Sequence, residues 1–207
     1  MSGGNGLCGR LAARLHSDEW EAPQYKRLKQ KLLGVLKGEV NEIGPGSGVN
    51  LKYYRDNVRW TGIEPNTFLH ERIRLRASGT GILTQLLAGR AERLDVLDGS
   101  IDAVVGTLVL CSVGDQTRAL SEVLRVLKSG GRYVFIEHVA GPLGTRIRRA
   151  QETFTPILRR LPGGCSLNCE TLRMIQRAGF GPVADERCEL PTSLGIALPH
   201  ISGMATK

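Results

Sequence analysis

Apolar positions along the chain follow two periods, and the switches between them predict the elements. Over 23–36, Tyr25, Leu28, Leu32, Leu33 and Leu36 fall at helical spacing with lysines on the opposite side, a lead-in helix. A short strand follows at 39–43, with Asn41 an unusual polar residue inside it, and 50–54 begins a helix behind a glycine-rich turn. The stretch 58–64 reads as a second strand, with Pro65-Asn66 opening a helix that runs to about Ala77. Residues 81–87 form a third strand, although Leu86-Leu87-Ala88 is equally compatible with helix. The nearly uninterrupted apolar run 101–113 suits a strand buried on both faces. The segment 115–127 is amphipathic, with Ala119, Leu120, Val123, Leu124 and Leu127 on one side, and Ser129-Gly130-Gly131 ends it before a strand at 132–140. Alternating strand and helix implies a parallel, doubly wound sheet.

Beyond Ala140 this rhythm breaks. Residues 141–167 carry Gly-Pro, an Arg-rich amphipathic stretch and Leu161-Pro162-Gly163-Gly164, which read as an insertion forming part of a cap. Asn168 is placed to cap a helix running to Ala178, stopped by Gly179-Phe180-Gly181. Strands at 183–190 and 201–207 complete a hairpin-like end. The expected organisation is an N-terminal arm, 1–20, and a single domain, 21–207.

The chemistry begins at the first turn. Glu42-Ile43-Gly44-Pro45-Gly46-Ser47-Gly48 is followed by Gly62-Ile63-Glu64-Pro65-Asn66, with Glu64 twenty residues after Gly44. Closely spaced glycines let a backbone approach a ligand where a Cβ would collide. An acid one βαβ half-unit later can accept from both ribose hydroxyls. Counted from Gly44, the third glycine of the dinucleotide fingerprint falls on Val49, so that spacing fails, and no Gly-Lys-Ser/Thr completes a Walker A loop. Glycines at 44, 46 and 48 instead suit a nucleoside ligand without pyrophosphate, its amino-acid end against the loop. A plain turn explains such a run when it stands alone; Glu42 and Glu64 argue for the nucleoside site.

Composition adjusts this picture in three places. With 207 residues the chain can bury the core of one sizeable domain. The net charge of +8 admits nucleic acid, anionic membrane or acidic small molecules, but only four Phe, two Trp and four Tyr are present and no basic-aromatic RNA-binding module appears. Nucleic acid is therefore not an expected partner. Five cysteines, Cys8, Cys111, Cys165, Cys169 and Cys188, are an odd number without paired spacing, which favours a reduced intracellular chain. Cys165 and Cys169 lack a neighbouring His pair to finish a zinc site, so no metal is expected. No apolar run reaches the roughly 18 residues of a membrane span, and 1–9 lacks the apolar core of a secretion signal. A cytoplasmic protein is expected.

In this order, the blocks 42–48, 62–66, 98–113 and 124–138, with Ala178-Gly179-Phe180 before a late strand, resemble a class I S-adenosylmethionine-dependent methyltransferase over roughly 25–207. The segments 107–113, Glu137-His138-Val139 with Pro142, Gly164-Cys165-Ser166-Leu167 with Glu170-Thr171, and 199–203 are similar to the methyltransferase-like family whose animal members methylate small alkyl thiols. The resemblance implies a Rossmann-like α/β fold, a mostly parallel seven-stranded sheet with helices on both faces. It implies S-adenosylmethionine as donor and S-adenosylhomocysteine as product. Glu42 then helps receive the methionine amino group, directly or through water. Gly44, Gly46 and Gly48 line the methionine and ribose side, and Glu64 takes the ribose hydroxyls. Pro65 and Asn66 lie beside the adenine edge, Ala91 and Glu92 meet it from the other side, and Thr107 and Leu108 face the methionine moiety. Tyr53 and Tyr54 pack nearby.

A thiol, with a pKa of about 8.5, needs little help from a base. His138 and His200 are the candidates to orient or deprotonate an acceptor, each also readable as a packed histidine. Cys111 reads as a small core residue. The expected activity is methylation of a small hydrophobic thiol. Oxygen, nitrogen or phospholipid-headgroup acceptors, or a non-catalytic nucleotide- or nucleic-acid-binding protein on the same fold, are the alternatives. The Arg-rich stretch 146–160 is a candidate for peripheral contact with acidic lipid, set against a solvated cap helix.

Overall fold

Alternate residues of the central strands divide between two apolar clusters, one on each face of a single sheet. Ile101, Val104, Tyr133 and Phe135 enter one cluster, and Ala103, Val105, Val134 and Ile136 the other. The computed structural model describes residues 21–161, 163–191 and 197–207, so the arm 1–20, with Cys8, and Pro162 lie outside the described residues. The elements are α1 (Pro23–Leu33), β1 (Gly38–Ile43), β2 (Val58–Ile63), α2 (His70–Ala77), β3 (Leu83–Leu87) and β4 (Ile101–Thr107). They continue with α3 (Gln116–Val126), β5 (Leu127–His138), α4 (Arg146–Leu158), α5 (Thr171–Arg177), β6 (Val183–Pro191) and β7 (Ala197–Thr206).

The strand order is β3-β2-β1-β4-β5-β7-β6, parallel from β3 to β5, with β7 antiparallel to both of its neighbours. This is the expected seven-stranded, mostly parallel sheet. Leu120, Val123 and Ile175 from α3 and α5 cover one face, and Leu32, Leu33 and Ile73 from α1 and α2 the other. The chain goes from β1 to β2 on one side and later to β4 on the other. That reversal opens a crevice at the carboxyl ends of β1 and β4, where ligands bind in open α/β sheets.

Several local expectations change. The stretch 50–54 makes only a single 3-10 turn, Leu51–Tyr53, because the chain reaches β2 at Val58 too soon for a helix. No helix stands between β3 and β4 either, so strict alternation fails at two connections. The apolar run 101–113 is not one strand: β4 ends at Thr107, Leu108 turns at φ 54°, and Leu110–Ser112 coils into a 3-10 turn. Asp115 caps α3 by accepting from Arg118 N. Asn168 does not cap α5; Glu170 holds that position without a side-chain capping bond. In 141–167, Thr145 caps α4, and Gln151 ties that helix to the end of β5 by accepting from Gly141 N (2.7 Å) and donating to Val139 O (3.0 Å).

Glu21 locks α1 to the segment following the glycine turn. Its carboxylate accepts from Lys29 Nζ (2.6 Å), Lys52 Nζ (2.8 Å) and the Tyr53 hydroxyl (2.6 Å). Burial works against the charge, but these three donors prevail and hold the carboxyl down at about 2. A carboxyl whose pKa is depressed on folding contributes stability above its unfolded pKa and loses it as pH falls toward the folded value. Wild type should therefore lose up to about 3 kcal/mol from this site between roughly pH 4.5 and pH 2. Glu21→Gln should be less stable at pH 7 and show a shallower acid limb in urea titrations at stepped pH. Identical acid limbs in the two proteins would rule this anchoring role out.

Candidate active site

At the end of β1 the backbone enters a turn that only glycine adopts easily. Gly44, Gly46 and Gly48 have φ of 59°, 59° and 83°. A Cβ on Gly44 would also stand 2.4 Å from Val109 Cγ2. Gly44 N donates to Ile63 O (2.9 Å), and Arg76 grips the far side of the turn through Ser47 O and Oγ. Glu64, at the end of β2 and 6% exposed, leans over this turn. One of its oxygens accepts from Gly46 N (3.0 Å) and the other from Asn66 N (2.9 Å), while Asn66 Oδ1 accepts from Phe68 N. The acid and the glycines picked out by spacing are thus brought together.

Glu42 lies beneath the turn, fully buried. It accepts from Asn50 Nδ2 (2.7 Å), the Tyr54 hydroxyl (2.9 Å) and Trp60 Nε1 (2.9 Å). Burial pushes this carboxyl up, against the pull of the three donors. Asn50 Nδ2 also reaches Thr107 Oγ1 (2.8 Å), so β1, β2, the turn and β4 share one polar network. The buried Oδ1 of Asn50 has no partner among the described residues.

Leu108 follows Thr107 in a left-handed conformation that a branched, bulky side chain rarely takes, and it is 43% exposed. Leu108 N donates to Ile136 O (2.8 Å), and the next two amides, Val109 N and Leu110 N, both donate to one oxygen of Glu137 (3.0 and 3.1 Å). Glu137 is fully buried, and burial raises its carboxyl to about 7 despite those amides. On the β3 side, Ala91 is buried, whereas the Glu92 carboxylate turns toward the start of α3 and accepts from Gly114 N (3.1 Å). Tyr53 points away to Glu21, and Tyr54 is held by Glu42.

His138 and His200 face each other across the β5–β7 pair, their rings edge-on at 6.2 Å. His200 Nδ1 donates to Leu198 O (2.7 Å), leaving Nε2 to accept from the Tyr25 hydroxyl (2.6 Å). Burial, with His138 nearby, depresses the His200 pKa to about 4, consistent with that neutral tautomer. Its lone pair is therefore occupied. His138 Nε2 lies 2.8 Å from Cys165 Sγ, and its buried Nδ1 has no partner among the described residues. Cys111, expected as core filling, is indeed buried, but its sulfur belongs to this group: the ligand atoms of Cys111, His138 and Cys165 all lie within 4.8 Å of one another. Contact with Cys165, and burial, push the Cys111 thiol well up. Cys169 instead meets Gln116 Nε2 (3.3 Å). A cavity of about 660 Å³ opens along the β5–β7–β6 edge, lined by Val139, Pro142, Thr171, Leu172 and Ile201; it reaches His200 but no residue of the glycine turn.

Comparison with known proteins fits this architecture. The methyltransferase domain family matches residues 41–135. Human thiol S-methyltransferase TMT1A is 38% identical over 169 residues, covering 80% of this chain and 69% of that protein. The chain belongs to the methyltransferase family that includes this enzyme. Human thiol S-methyltransferase TMT1B is 35% identical over 190 residues, 86% of this chain and 78% of its own. A solved S-adenosylmethionine-dependent methyltransferase from Methanosarcina mazei superposes with TM-score 0.69 at 21% identity, over 90% of this chain and 98% of that one, and shares the fold. Family and fold imply S-adenosylmethionine as the methyl donor of this methyltransferase.

Sequence reading missed Asn50, Glu137, Tyr25 and the meeting of Cys165 with His138. An acid inside the apolar run Tyr133-Val134-Phe135-Ile136 and its continuation is a signal for Glu137. The cysteine–histidine group has none, because its members come from three separate segments.

The Glu42 network makes a sharp prediction. Glu42→Ala strands three buried donors and should cost at least about 3 kcal/mol. Glu42→Gln should cost roughly 1–2 kcal/mol, since its oxygen can still serve Trp60 and Tyr54 while Asn50 rotates to present its unpartnered oxygen. Urea unfolding measures both. Equal losses, or a loss below about 1 kcal/mol for the alanine variant, would refute the hub.

Proposed function

We propose that this methyltransferase moves a methyl group from S-adenosylmethionine to the sulfur of a small hydrophobic thiol. The likeness to the two human thiol S-methyltransferases carries the choice of acceptor. The geometry is in keeping with it: neither His138 nor His200 is hydrogen-bonded to a carboxylate, and the group around His138 is built of thiols and imidazole.

The residues fit the donor. Glycines with left-handed φ leave a backbone surface without side chains, Glu64 overhangs it, and the unpartnered Asn50 oxygen is a buried acceptor suited to an ammonium. In this reading Gly44, Gly46 and Gly48 cradle the methionine and ribose side, and Glu64 exchanges its amide partners for ribose hydroxyls. Pro65, Asn66, Ala91 and Glu92 border the adenine, Glu92 through its backbone, since its carboxylate is engaged elsewhere. Thr107 and Leu108 border the methionine. Glu42 acts through Asn50 rather than by touching the amino group. The donor supplies an activated sulfonium methyl, so this chain's residues have mainly to align the acceptor and exclude water.

His138 stands two residues beyond Ile136, the β5 partner of Thr107, and so beside the Leu108 turn. We assign it the orienting of the acceptor sulfur. His200, with its lone pair held by Tyr25, positions His138 and the wall of the cavity, where Val139, Pro142, Leu172 and Ile201 offer apolar surface to a hydrophobic acceptor and Arg148, Glu170, Arg173, Arg187 and Glu189 make the rest charged. Phe154 and Ile157 of α4, each more than half exposed among arginines, support peripheral contact with acidic lipid through 146–160. Among the described residues no helix is long and apolar enough to cross a membrane. The four cysteines among the described residues are unbridged, which suits the reducing cytoplasm.

Calorimetry with S-adenosylmethionine and S-adenosylhomocysteine tests the donor site. Glu64→Ala should weaken binding tenfold or more, about 1.4 kcal/mol, and absence of binding by wild type at millimolar ligand would overturn the donor assignment. A labelled-methyl screen over thiols, phenols, amines and phospholipids tests the acceptor. Turnover of another class with none of any thiol would remove the thiol reading.

A further inference from the structure

We propose that Cys111, His138 and Cys165 form a binding site for one divalent zinc-like cation, whose fourth position receives the acceptor thiol. The second half of this inference rests on the methyltransferase reading above; the first does not.

The three side chains come from the turn after β4, the end of β5 and the loop after α4, and a backbone bond from Ser166 N to Cys111 O (2.9 Å) fixes the two cysteine segments together. Their ligand atoms already lie within 4.8 Å of one another. A tetrahedral zinc ion, with Zn–S about 2.3 Å and Zn–N about 2.0–2.1 Å, sets its ligand atoms about 3.5–3.8 Å apart. Binding therefore opens the His138–Cys165 contact, now 2.8 Å, by under about 1 Å and draws in any wider pair, at most 4.8 Å apart, by about 1 Å. Cys111 and His138 are buried at 5% and 6% exposure, and Cys165, in the loop after α4, is half-buried.

Charge selects the ion. Two thiolates and a neutral imidazole around a divalent cation sum to zero, so the site awaiting an acceptor carries no net charge to desolvate, and a bound acceptor thiolate adds one negative charge. A monovalent soft ion would leave one uncompensated negative charge. Magnesium and calcium prefer oxygen ligands, whereas sulfur and imidazole together suit zinc. Three protein ligands with a fourth position open are the arrangement of reactive rather than closed structural zinc sites.

The group lies beside the Leu108 turn, since Cys111 Sγ donates to Leu108 O at 3.5 Å. An acceptor thiol entering there forms a sulfur–metal bond and gives up its proton to water, so it is held as thiolate without a protein base. After methylation the sulfur is a neutral thioether, a poorer ligand, and leaves. His138 would then act as a ligand through Nε2, the nitrogen that now faces Cys165 Sγ.

The reduced full-length protein, titrated with cadmium, should show a thiolate-to-metal charge-transfer band saturating at one equivalent, and should retain one equivalent of zinc through gel filtration. Cys111→Ser with Cys165→Ser should abolish the band, His138→Ala should weaken retention, and Cys188→Ser should leave both unchanged. No band in wild type, or a band that survives in the double variant, overturns the site. For the acceptor role, protein stripped by a chelator should still bind S-adenosylmethionine in calorimetry yet lose thiol methylation at neutral pH, regained on adding zinc. Undiminished methylation by stripped protein overturns that role. Failure to bind S-adenosylmethionine at all would count against the methyltransferase reading and leave the metal titration standing.

Discussion

One buried carboxylate carries the geometry of the donor side. Glu42 is placed where the first strand ends, and every polar group around it that could anchor a strand end uses it: Trp60 of β2, Tyr54 ahead of β2, and Asn50 of the glycine turn, which in turn holds Thr107 at the end of β4. Burying an acid without partners is costly, and so is leaving its donors unmet. The network resolves both conditions only when three strand ends and the turn occupy their present positions. Its rigidity is what allows three left-handed glycines to sit over it without a helix of ordinary length behind them.

A second carboxylate performs the matching task one strand over. Leu108 is turned into a conformation that costs roughly 1–3 kcal/mol, and such strain persists only where surroundings over-determine it. Here Leu108 N is bound to Ile136 O and the next two amides share Glu137. The outcome is to swing Leu108 outward and drop Cys111 inward toward His138. Glu137 and Glu42 thus hold the two walls of one crevice. Glu42 has both oxygens engaged, whereas Glu137 spends one oxygen on the two amides and keeps a second, buried oxygen without a partner among the described residues.

The fold was legible because buried parallel strands write long apolar runs and the amphipathic segment of α3 writes a helical stripe. The meeting of the glycine turn with Glu64 was legible because glycine spacing and a following acid are local in sequence. What failed failed for physical reasons. The run 101–113 looks like one strand because burial in a strand and burial in a 3-10 turn leave the same apolar signature; only the positive φ at Leu108 separates them. The span after the glycine turn suggested a helix because Leu51 and Tyr54 are spaced for burial, but a single turn meets that need. In sequence Glu92 and His200 each admit two readings, contact with a ligand or an ordinary surface or packed role, and the structure has the Glu92 carboxylate and His200 engaged by partners remote in sequence, Gly114 and Tyr25. The association of Cys111, His138 and Cys165 is a tertiary fact with no sequence spacing to disclose it.

The two sides of the crevice are built on different principles, and the difference bears on chemistry. The donor side is hard: carboxylates, amides and backbone, each with fixed partners, suited to a polar nucleoside whose hydroxyls and ammonium have directional demands. The other side is softer near the strand ends, with two thiols and two imidazoles, beside a cavity that mixes apolar surface with Arg148, Glu170, Arg173, Arg187 and Glu189. A nucleophile such as an alcohol or amine would need a base with an available lone pair backed by a carboxylate, and the histidines here lack that backing. A thiol does not need it, because its sulfur is polarizable and already partly ionised near neutral pH. The arrangement of this chain therefore favours sulfur through the absence of directed base machinery at His138 and His200 combined with the presence of groups whose own chemistry is that of sulfur.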